Sequence, residues 1–511
     1  MSTAAFDTNK QTAVRFVLDG VITSVSNFNP SLSVLQYLRE QAHRPGTKEG
    51  CAEGDCGACT VVVGELVNNR VQLRSVNACI QLLPMLHGKA LFTVESLKRL
   101  GDGQLHPIQQ AMVDSHASQC GFCTPGFVMS LFALFKTNAS PDRAQINDAL
   151  SGNLCRCTGY KPIIQAAEQM SELARPDHWI SRCATAQQAI EPEEQALVDQ
   201  LRELQGVETL HLQHDGFEYY APTSVQALAS LYQQHPGATL IAGNTDVGLW
   251  INKQLRELPT IIALGGVQAL KKIELDNEAI TIPAAVTVSD AFYVLQQHYP
   301  ELEDLFRRFA SMPVRNAATL VGNVANGSPI GDSMPILIAL QTEIILRQGD
   351  AERSLKLEDF YLGYQQKDLR EGEFVKAIRI PLNLNGYQLA SYKVSKRYDQ
   401  DISAVCAAFV VGLDEHKVVR HIRIAFGGMA AIPARAVACE AALLGQPWQQ
   451  AVIDNACSKL DEDFSPLSDM RASASYRQRV AKNLLQRFYL QVIDERVEMP
   501  LQVSHLQQVV R

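Results

Sequence analysis

Eight of the twelve cysteines in this 511-residue chain lie between residues 51 and 157, in two groups of four. The two groups are Cys51, Cys56, Cys59 and Cys79, and Cys120, Cys123, Cys155 and Cys157. Four thiolates are the ligand set that a [2Fe–2S] cluster needs. Two such groups in one chain therefore predict two clusters and the transfer of single electrons.

The cysteine spacing distinguishes an iron–sulfur site from a zinc site more clearly in the first group than in the second. The first group follows the x4, x2 and distant-fourth pattern of plant-type ferredoxins, whereas zinc prefers two Cys-x2–4-Cys pairs. The glycines of residues 46–57 also let backbone N–H groups approach cluster sulfurs. The second group, taken alone, leaves structural zinc open as an alternative. Its position directly behind the first group, with a helix predicted to begin near Cys123, favours a second cluster.

Composition limits the class of protein and its partners. A net charge of −8 and a pI near 5.9 argue against nucleic acid as a partner. We find neither a run of about 20 apolar residues nor, in residues 1–10, the apolar stretch of a signal peptide. We therefore expect a cytoplasmic protein without membrane contact, in which clustered thiols bind metal. The other cysteines are expected to be buried packing residues, namely Cys183, Cys406, Cys439 and Cys457.

A small β-rich module is predicted around the first cysteine group. Residues 13–25 alternate in polarity around Asp19-Gly20, which is a two-residue hairpin signal. Ser31 or Ser33 is expected to cap a short helix, and residues 60–63 are predicted to form a strand. Hairpin, helix and cysteine loop together predict a ferredoxin-like β-grasp layout.

The second cysteine group lies among short helices. Helical periodicity covers residues 108–115, 125–135, 141–150 and 162–170. We expect Ser140 to cap the third helix, with Pro141 as its first residue. The cysteine pairs stand before the second helix and after the third, so four helices are expected to bring both pairs to one end of a bundle.

After the predicted helices, the sequence predicts a charged linker and then a region of mixed strands and helices. A strand is predicted at residues 240–242, running into Gly243-Asn244-Thr245. That segment is either an ordinary turn or a backbone cradle for a pyrophosphate, and Gly322-Asn323 allows the same two readings. Neither a G-x-G-x-x-G nor a P-loop pattern is present. From about Gln388 a closing α+β domain is predicted, with strands near 405–412 and 421–426 and helices after 433.

Six motifs resemble one known family. The motifs are CAEGDCGAC at 51–59, QCGFCTPG at 119–126, GNLCRCTGY at 152–160, LIAGNTDV at 240–247, TLVGN at 319–323 and SPIGD at 328–332. They resemble the xanthine dehydrogenase family of molybdenum hydroxylases, and in particular its small subunits that carry two [2Fe–2S] clusters and FAD. The resemblance runs from about residue 12 to residue 500.

The resemblance implies an α+β multidomain fold. Its parts would be a plant-type ferredoxin-like β-grasp domain at 12–97, a helical (four-helix) [2Fe–2S] domain at 98–175 and a linker at 176–214. They would continue with an FAD-binding α/β domain of the vanillyl-alcohol-oxidase or CO-dehydrogenase-flavoprotein type at 215–385. A CO-dehydrogenase-flavoprotein-like C-terminal α+β domain would occupy 386–505.

The resemblance also implies roles for single residues. The first cysteine group would hold the cluster nearer the flavin, the second the cluster nearer a molybdenum cofactor, and Gln119 would reach the pterin of that cofactor. The FAD-binding residues would be Leu240, Ile241, Ala242, Gly243, Asn244, Thr245, Asp246, Val247, Phe309, Thr319, Leu320, Val321, Gly322, Asn323, Asp332, Val375 and Lys393. Tyr364 and Asp246 would lie where NAD+ approaches. Without the resemblance, Phe309 is equally a core aromatic and Lys393 a solvated surface charge.

The function implied is that of the electron-transfer subunit of an NAD+-dependent oxidoreductase. A large molybdenum-cofactor subunit, in a heterotetramer with two copies of each chain, would oxidise hypoxanthine or xanthine to urate. Electrons would pass through both clusters to FAD and then to NAD+, with the loop at 396–401 influencing whether NAD+ or oxygen accepts them. Two alternatives stay open: the same role for an aldehyde or N-heterocycle hydroxylase, and a zinc-binding scaffold without catalytic function.

Overall fold

A computed structural model describes residues 12–175, 178–183, 190–206, 208–382 and 386–493. The polar start at residues 1–10, parts of the predicted linker and residues 494–505 of the predicted last domain lie outside the described residues. Two compact units are present: the described residues up to Ala269 together with Ser311–Ala318, and Leu270–Ala310 together with the described residues from Thr319 onward. They are called unit 1 and unit 2.

Both units contain strands and helices. The strands are β1 Val14–Leu18, β2 Val21–Val25, β3 Thr60–Val67, β4 Arg70–Asn77, β5 Ala90–Phe92, β6 Leu210–His214, β7 Phe217–Ala221, β8 Thr239–Ile241, β9 Thr260–Ala263, β10 Glu274–Leu275, β11 Ala279–Pro283, β12 Glu343–Gln348, β13 Ala351–Lys356, β14 Tyr361–Gly363, β15 Gln366–Lys367, β16 Phe374–Pro381, β17 Gln388–Val394, β18 Val405–Leu413, β19 Val419–Gly427 and β20 Ala434–Arg435. The α-helices are α1 Val34–Gln36, α2 Val94–Arg99, α3 Pro107–Asp114, α4 Thr124–Thr137, α5 Arg143–Leu150, α6 Lys161–Gln169, α7 Pro192–Leu204, α8 Val225–Gln234, α9 Val247–Asn252, α10 Val288–His298, α11 Glu303–Arg307, α12 Met312–Ala317, α13 Leu320–Asn326, α14 Ser333–Ala339, α15 Leu357–Phe360, α16 Val437–Leu443, α17 Gln450–Asp463 and α18 Ala474–Ile493.

Unit 1 begins with a five-stranded mixed sheet in the order β2-β1-β5-β3-β4. The predicted hairpin is confirmed, because β1 and β2 pair antiparallel and both turn residues, Asp19 and Gly20, have positive φ. Ser33 is the helix cap: its hydroxyl accepts a 3.1 Å hydrogen bond from the Gln36 N–H. Parallel pairing of β1 with β5 completes the β-grasp arrangement.

The two faces of this sheet pack against different neighbours within unit 1. Val17 and Val62 belong to a core shared with the helices that carry the second cysteine group. Phe16 and Val61 belong to a core shared with the second sheet of the unit, whose order is β6-β7-β9-β8. Side chains alternate along a strand, so adjacent residues serve opposite faces. The β-grasp sheet is therefore the central layer of unit 1.

The helices around the second cysteine group are α3 to α6, close to the predicted segments. The predicted cap at Ser140-Pro141 is wrong. The Asp142 carboxylate accepts a 2.8 Å hydrogen bond from the Gln145 N–H, and the Gln145 side-chain oxygen accepts a 2.9 Å bond from the Asp142 N–H. This reciprocal capping box starts the helix at Arg143.

The segment interpreted as a linker contains α7, which has a buried apolar face. Leu197, Leu201 and Leu204 pack into the core shared by the first sheet and the helical region. Arg70 on β4 also pairs with the buried carboxylate of Glu194 at 2.9 Å. The helix is thus packed against the body of unit 1.

Unit 2 contains a five-stranded sheet in the order β10-β11-β16-β12-β13 and a four-stranded sheet in the order β17-β18-β19-β20. Helices α16, α17 and α18 cover the second of these sheets through an apolar core that includes Phe409, Phe426 and Phe488. The predicted strands near 405–412 and 421–426 and the helices after 433 are confirmed. The α+β multidomain fold class is likewise confirmed. Across the described ranges, every helix is too short or too polar to cross a membrane.

Candidate iron–sulfur and flavin sites

The first cysteine group lies on the loop before β3 and at the end of β4. Cys59 directly precedes β3 and Cys79 follows the end of β4. Because β3 and β4 are antiparallel neighbours, the start of one lies beside the end of the other. The Sγ atoms of Cys59 and Cys79 are consequently 3.3 Å apart, and both residues are buried.

Cys51 sits in a nest of backbone donors. Its Sγ accepts N–H bonds from Glu53, Asp55 and Cys56 at 3.5, 3.4 and 3.3 Å. A hydrogen bond with the Cys56 thiol is the largest cause that lowers the pKa of Cys51, to about 4, and the backbone donors add to it. The pKa of Cys56 is raised by that same thiol contact. The loop is therefore organised to stabilise thiolate sulfur, which is the form that binds iron.

The second cysteine group is also brought together. Cys123 is the N-cap of α4, and Cys155 and Cys157 lie in the loop between α5 and α6. Thiol contacts pair Cys120 with Cys157 and Cys123 with Cys155. Burial raises the pKa of Cys123 to about 12 despite its place at a helix N-terminus. Cys120 and Cys157 are exposed, so this group reaches the surface of unit 1.

The two cysteine groups are joined by backbone contacts. The carbonyl of Cys56 accepts a 3.0 Å hydrogen bond from the N–H of Leu154, the residue before Cys155. The Asn153 side chain donates to the carbonyl of Gly57 at 3.1 Å. A Cβ at Gly126 would lie 2.1 Å from that carbonyl oxygen, so only glycine fits in α4 at this point. The two groups therefore belong to adjoining segments.

The loop at 240–247 adjoins the first cysteine group in the same unit. The Asn244 amide donates to the carbonyl of Ile80 at 2.8 Å, and the Gln81 amide donates to the carbonyl of Gly243 at 3.1 Å. A Cβ at Gly243 would lie 1.9 Å from the carbonyl oxygen of Ala317. The segment after Cys79 is thus bonded directly to the candidate flavin loop.

This loop has two features of a ligand cradle. Gly243 lacks the Cβ that its surroundings would exclude, and Asn244 adopts a left-handed conformation with φ of +60°. The Oδ1 atom of Asn244 is buried and accepts no hydrogen bond within the described part of the chain. A buried acceptor of this kind fits a ligand that brings hydroxyl donors, as the ribityl chain of FAD does. Of the remaining predicted residues here, Leu240 and Ile241 end β8 and Asp246 precedes α9.

The other predicted FAD residues belong to unit 2. Thr319 caps α13 by accepting a 3.1 Å bond from the Gly322 N–H, while Leu320 and Val321 are buried. The Asn323 Oδ1 accepts a 2.6 Å bond from the Ser333 hydroxyl. The tight start of α13 thus holds the TLVGN motif in one backbone conformation.

Asp332 and Lys393 form a buried ion pair in unit 2. The Lys393 Nζ donates to Asp332 Oδ2 at 2.6 Å and to the carbonyl of Arg308 at 3.0 Å. Ser403 donates to the other carboxylate oxygen at 2.5 Å. The simple surface-charge interpretation of Lys393 is therefore wrong, because its side chain is only 2% exposed.

The three remaining predicted residues of unit 2 occupy different settings. Phe309 is buried, with its ring in edge-to-face contact with Phe292 at 5.2 Å between centroids. Val375 is buried on β16. Tyr364 lies in the turn between β14 and β15 and is 62% exposed. The buried Phe309 ring thus contacts another core aromatic ring, as the core-aromatic interpretation requires.

Sequence reasoning missed three residues that hold the sites together. Asn252 at the end of α9 donates to the carbonyl of Cys79 at 2.7 Å. Arg315 on α12, which is 4% exposed, pairs with Asp148 on α5 at 2.6 Å. Asn153 bonds to both Gly57 and Ser130. Their partners lie between 23 and 173 residues away, so no local signal marks them.

Four family models cover most of the chain. Residues 17–82 match a 2Fe-2S iron–sulfur cluster binding domain, and residues 93–168 match a [2Fe-2S] binding domain. Residues 215–383 match the FAD binding domain in molybdopterin dehydrogenase. Residues 390–492 match the CO dehydrogenase flavoprotein C-terminal domain.

Two proteins of similar sequence and one solved structure are related to this chain. The chain is 31% identical to a xanthine dehydrogenase of Emericella nidulans over 94% of its own length and 39% of the relative. It is 29% identical to aldehyde oxidase 4 of Cavia porcellus, with 93% and 39% covered. A solved carbon monoxide dehydrogenase of Hydrogenophaga pseudoflava, lacking the Mo-pyranopterin moiety of its cofactor, superposes with a TM-score of 0.50 and 27% identity, over 53% of this chain and 95% of that one.

The match to the two curated relatives extends over nearly all of this chain but only part of theirs. It spans about two-fifths of the length of each, 39% in both cases. Within that length the order of domains is two [2Fe–2S] domains, then the FAD domain, then the flavoprotein C-terminal domain. The chain therefore belongs to the molybdenum hydroxylase family, of which it carries both [2Fe–2S] domains and the FAD-binding domain.

Proposed function

We propose that this chain is the iron–sulfur and FAD subunit of a xanthine dehydrogenase. Electrons from hypoxanthine or xanthine, oxidised to urate at a molybdenum cofactor on a large partner subunit, would pass through the chain to NAD+. The clusters supply one-electron carriers, and FAD links single-electron transfer to the two-electron reduction of NAD+. The observation that carries the proposal is the unbroken series of bonded segments that contains both cysteine groups and the loop at 240–247.

The proposed direction of electron transfer is based on the solvent exposure of the cysteines in the two groups. Cys120 and Cys157 are exposed, whereas Cys59 and Cys79 are buried. The second group is therefore assigned to the entry point, where Gln119 and the exposed side chains of Phe122 and Leu154 would face the partner. The first group, bonded to the 240–247 loop, is assigned to the exit toward FAD. A heterotetramer with two copies of each subunit is part of this proposal.

The predicted FAD-binding residues keep that assignment in this proposal. In unit 1, Gly243 and the unsatisfied Oδ1 of Asn244 support a role in holding the pyrophosphate and ribityl chain. In unit 2, Lys393 has three N–H donors, of which two bind Asp332 and Arg308, so the third is assigned to FAD. Tyr364 and Asp246 are exposed, as an approach route for NAD+ requires. The cytoplasmic location stays a prediction.

A second candidate is the same electron-transfer role for a hydroxylase of aldehydes or N-heterocycles. The aldehyde oxidase of Cavia porcellus, nearly as similar to this chain as the xanthine dehydrogenase, favours keeping it. The substrate is oxidised at the partner, so residues of this chain do not discriminate between the two candidates.

Co-purification tests the proposal. The full chain, tagged and expressed in its native host, is expected to retain a large molybdenum-containing subunit. Under anaerobic conditions, xanthine should bleach the visible absorption of the complex, and NAD+ should restore it. Bleaching by aldehydes or N-heterocycles but not by purines would favour the second candidate. A tagged chain that holds zinc and no partner would refute both.

A further inference from the structure

A single side-chain amide binds two carbonyl groups of the first cysteine segment. The Nδ2 atom of Asn252 donates to the carbonyl of Cys79 at 2.7 Å and to the carbonyl of Ala52 at 3.1 Å. Ala52 directly follows Cys51, so the two acceptors are a candidate cluster ligand and the neighbour of another. Asn252 itself ends α9, the helix that begins at Val247, the last residue of the candidate flavin loop.

Close contacts around Asn252 restrict the movement of α9 relative to the segment that follows Cys79. The Asn244 and Gln81 amides bond the same two chain segments in opposite directions. A Cβ at Gly248, on α9, would lie 3.1 Å from both the Cβ and the carbonyl oxygen of Ile80, which is tighter than ordinary contact. The backbone of α9 therefore lies directly against the segment that follows Cys79.

The Asn252 contact differs from its neighbours in what it restrains. Asn244 and Gln81 fix the 80–81 and 243–244 backbone, one residue or more beyond the ligand. Asn252 instead fixes the carbonyl of Cys79 and, through the carbonyl of Ala52, the start of the loop that begins at Cys51. Ala52 holds a left-handed φ of +56°, a conformation that a non-glycine residue adopts only when its surroundings support it.

We propose that Asn252 is a positioning residue that sets the geometry of the first [2Fe–2S] cluster relative to the flavin. It acts through the carbonyl groups of Ala52 and Cys79 and is not itself a ligand of the cluster or the flavin. The proposal rests on the proposed electron-transfer function. Groups that orient metal ligands change activity or affinity about 10- to 100-fold when they are removed, and hydrogen bonding around a cluster tunes its potential.

The test uses the full chain loaded with iron, sulfide and FAD, in three variants. Asn252→Asp keeps the shape but replaces both donors with acceptors that face two carbonyls. Asn252→Ala removes the donors without adding charge. Lys253→Ala is the matched control, because Lys253 connects the same two segments through an exposed 3.8 Å ion pair with Glu53. Three readouts are taken: iron and FAD content, the electron paramagnetic resonance of each reduced cluster, and the rate of electron redistribution after flash photoreduction.

The expected result is confined to the first cluster. Asn252→Asp and Asn252→Ala should shift its resonance and slow redistribution between cluster and flavin at least about tenfold, with iron and FAD contents unchanged. The resonance of the second cluster should be the same in the Asn252 variants as in the wild type. The Lys253→Ala variant should have wild-type resonances and a wild-type rate of redistribution. Wild-type rates and spectra in both Asn252 variants would overturn the proposal, as would an equal effect of Lys253→Ala. A wild-type chain that takes up only one cluster or no FAD would refute the proposed function as well, and the iron and FAD assays recognise that failure separately.

Discussion

The backbone N–H of Leu154 donates a 3.0 Å hydrogen bond to the carbonyl of Cys56, so a member of the first cysteine group and the residue preceding Cys155 are joined by one bond. Asn153 reinforces the junction through the carbonyl of Gly57. The junction connects the β-grasp sheet to the helical region with which the sheet also shares an apolar core. Its rigidity should therefore govern how the two candidate clusters face each other.

Gly126→Ala tests this junction. Alanine in place of glycine inside an exposed helix usually stabilises by about 1 kcal/mol. Here the new Cβ would lie 2.1 Å from the carbonyl oxygen of Gly57, which is rigid backbone. We expect the free energy of unfolding to fall by about 2 kcal/mol, as for overpacked sites, measured by chemical denaturation.

The control for this variant is Gly237→Ala. A Cβ at Gly237 meets no described atom within 4 Å, and its backbone does not adopt a positive φ. Its stability should change by less than about 0.5 kcal/mol. A Gly126→Ala protein as stable as the wild type would show that the junction is loose.

Lys393→Met tests the buried ion pair of unit 2. The substitution leaves the Asp332 carboxylate buried, with the Ser403 hydroxyl still donating to it. Removing one member of a buried pair typically costs about 3 to 5 kcal/mol. We expect a loss of stability near the lower value, measured by urea denaturation, and weaker retention of FAD on gel filtration.

A thermodynamic cycle separates charge from packing at this pair. Adding Asp332→Asn to Lys393→Met removes the unpaired charge and should recover part of the lost stability. Lys396→Met is the control, since the Lys396 side chain is exposed and donates to the carbonyl of Met470. Equal effects at positions 393 and 396 would contradict the buried pair.

His106→Asn tests a pH dependence of stability. Burial lowers the pKa of His106 from 6.5 to about 4, and its Nε2 lies 2.8 Å from the carbonyl of Ile180. The unfolded chain therefore binds the proton more readily than the folded chain between these values. Stability contributed by the neutral ring is complete above about pH 6.5 and is lost as pH falls toward 4, by roughly 3 kcal/mol in total.

Asparagine keeps the N-cap role that the His106 ring plays for α3 but does not titrate. The variant should lose stability at every pH, because the ring packs on Phe132 and Phe135. Its stability should nevertheless fall less steeply than that of the wild type between pH 6.5 and 4. Parallel curves for the two proteins would refute the role of His106.

The sequence predicts what depends on short-range patterns. The hairpin at Asp19-Gly20 and the helix start at Cys123 were predictable because turn geometry and helix periodicity are local. The cap at Asp142 was misassigned because Ser140-Pro141 offers an equally good local signal. Only the reciprocal bond, in which the Asp142 N–H donates to the Gln145 side chain, selects the correct residue.

The contacts between distant segments were beyond prediction from one sequence. Arg315 and Asp148 are 167 residues apart, and Asn252 and Cys79 are 173 apart. A lone arginine or asparagine is ordinarily a surface residue, so neither type nor spacing marks these positions. The burial of Lys393 was missed for the same reason, since its partner Asp332 lies 61 residues away.

The central claim is that two separate [2Fe–2S] clusters stand in line with FAD on one chain. The most direct test is quantitative iron, zinc and FAD analysis with electron paramagnetic resonance of the dithionite-reduced chain, in the wild type, Cys59→Ser and Cys157→Ser. The account predicts two irons per cluster, two distinct resonances in the wild type, and loss of a different resonance in each variant. Bound zinc, a single resonance in the wild type, or loss of the same resonance in both variants would contradict it.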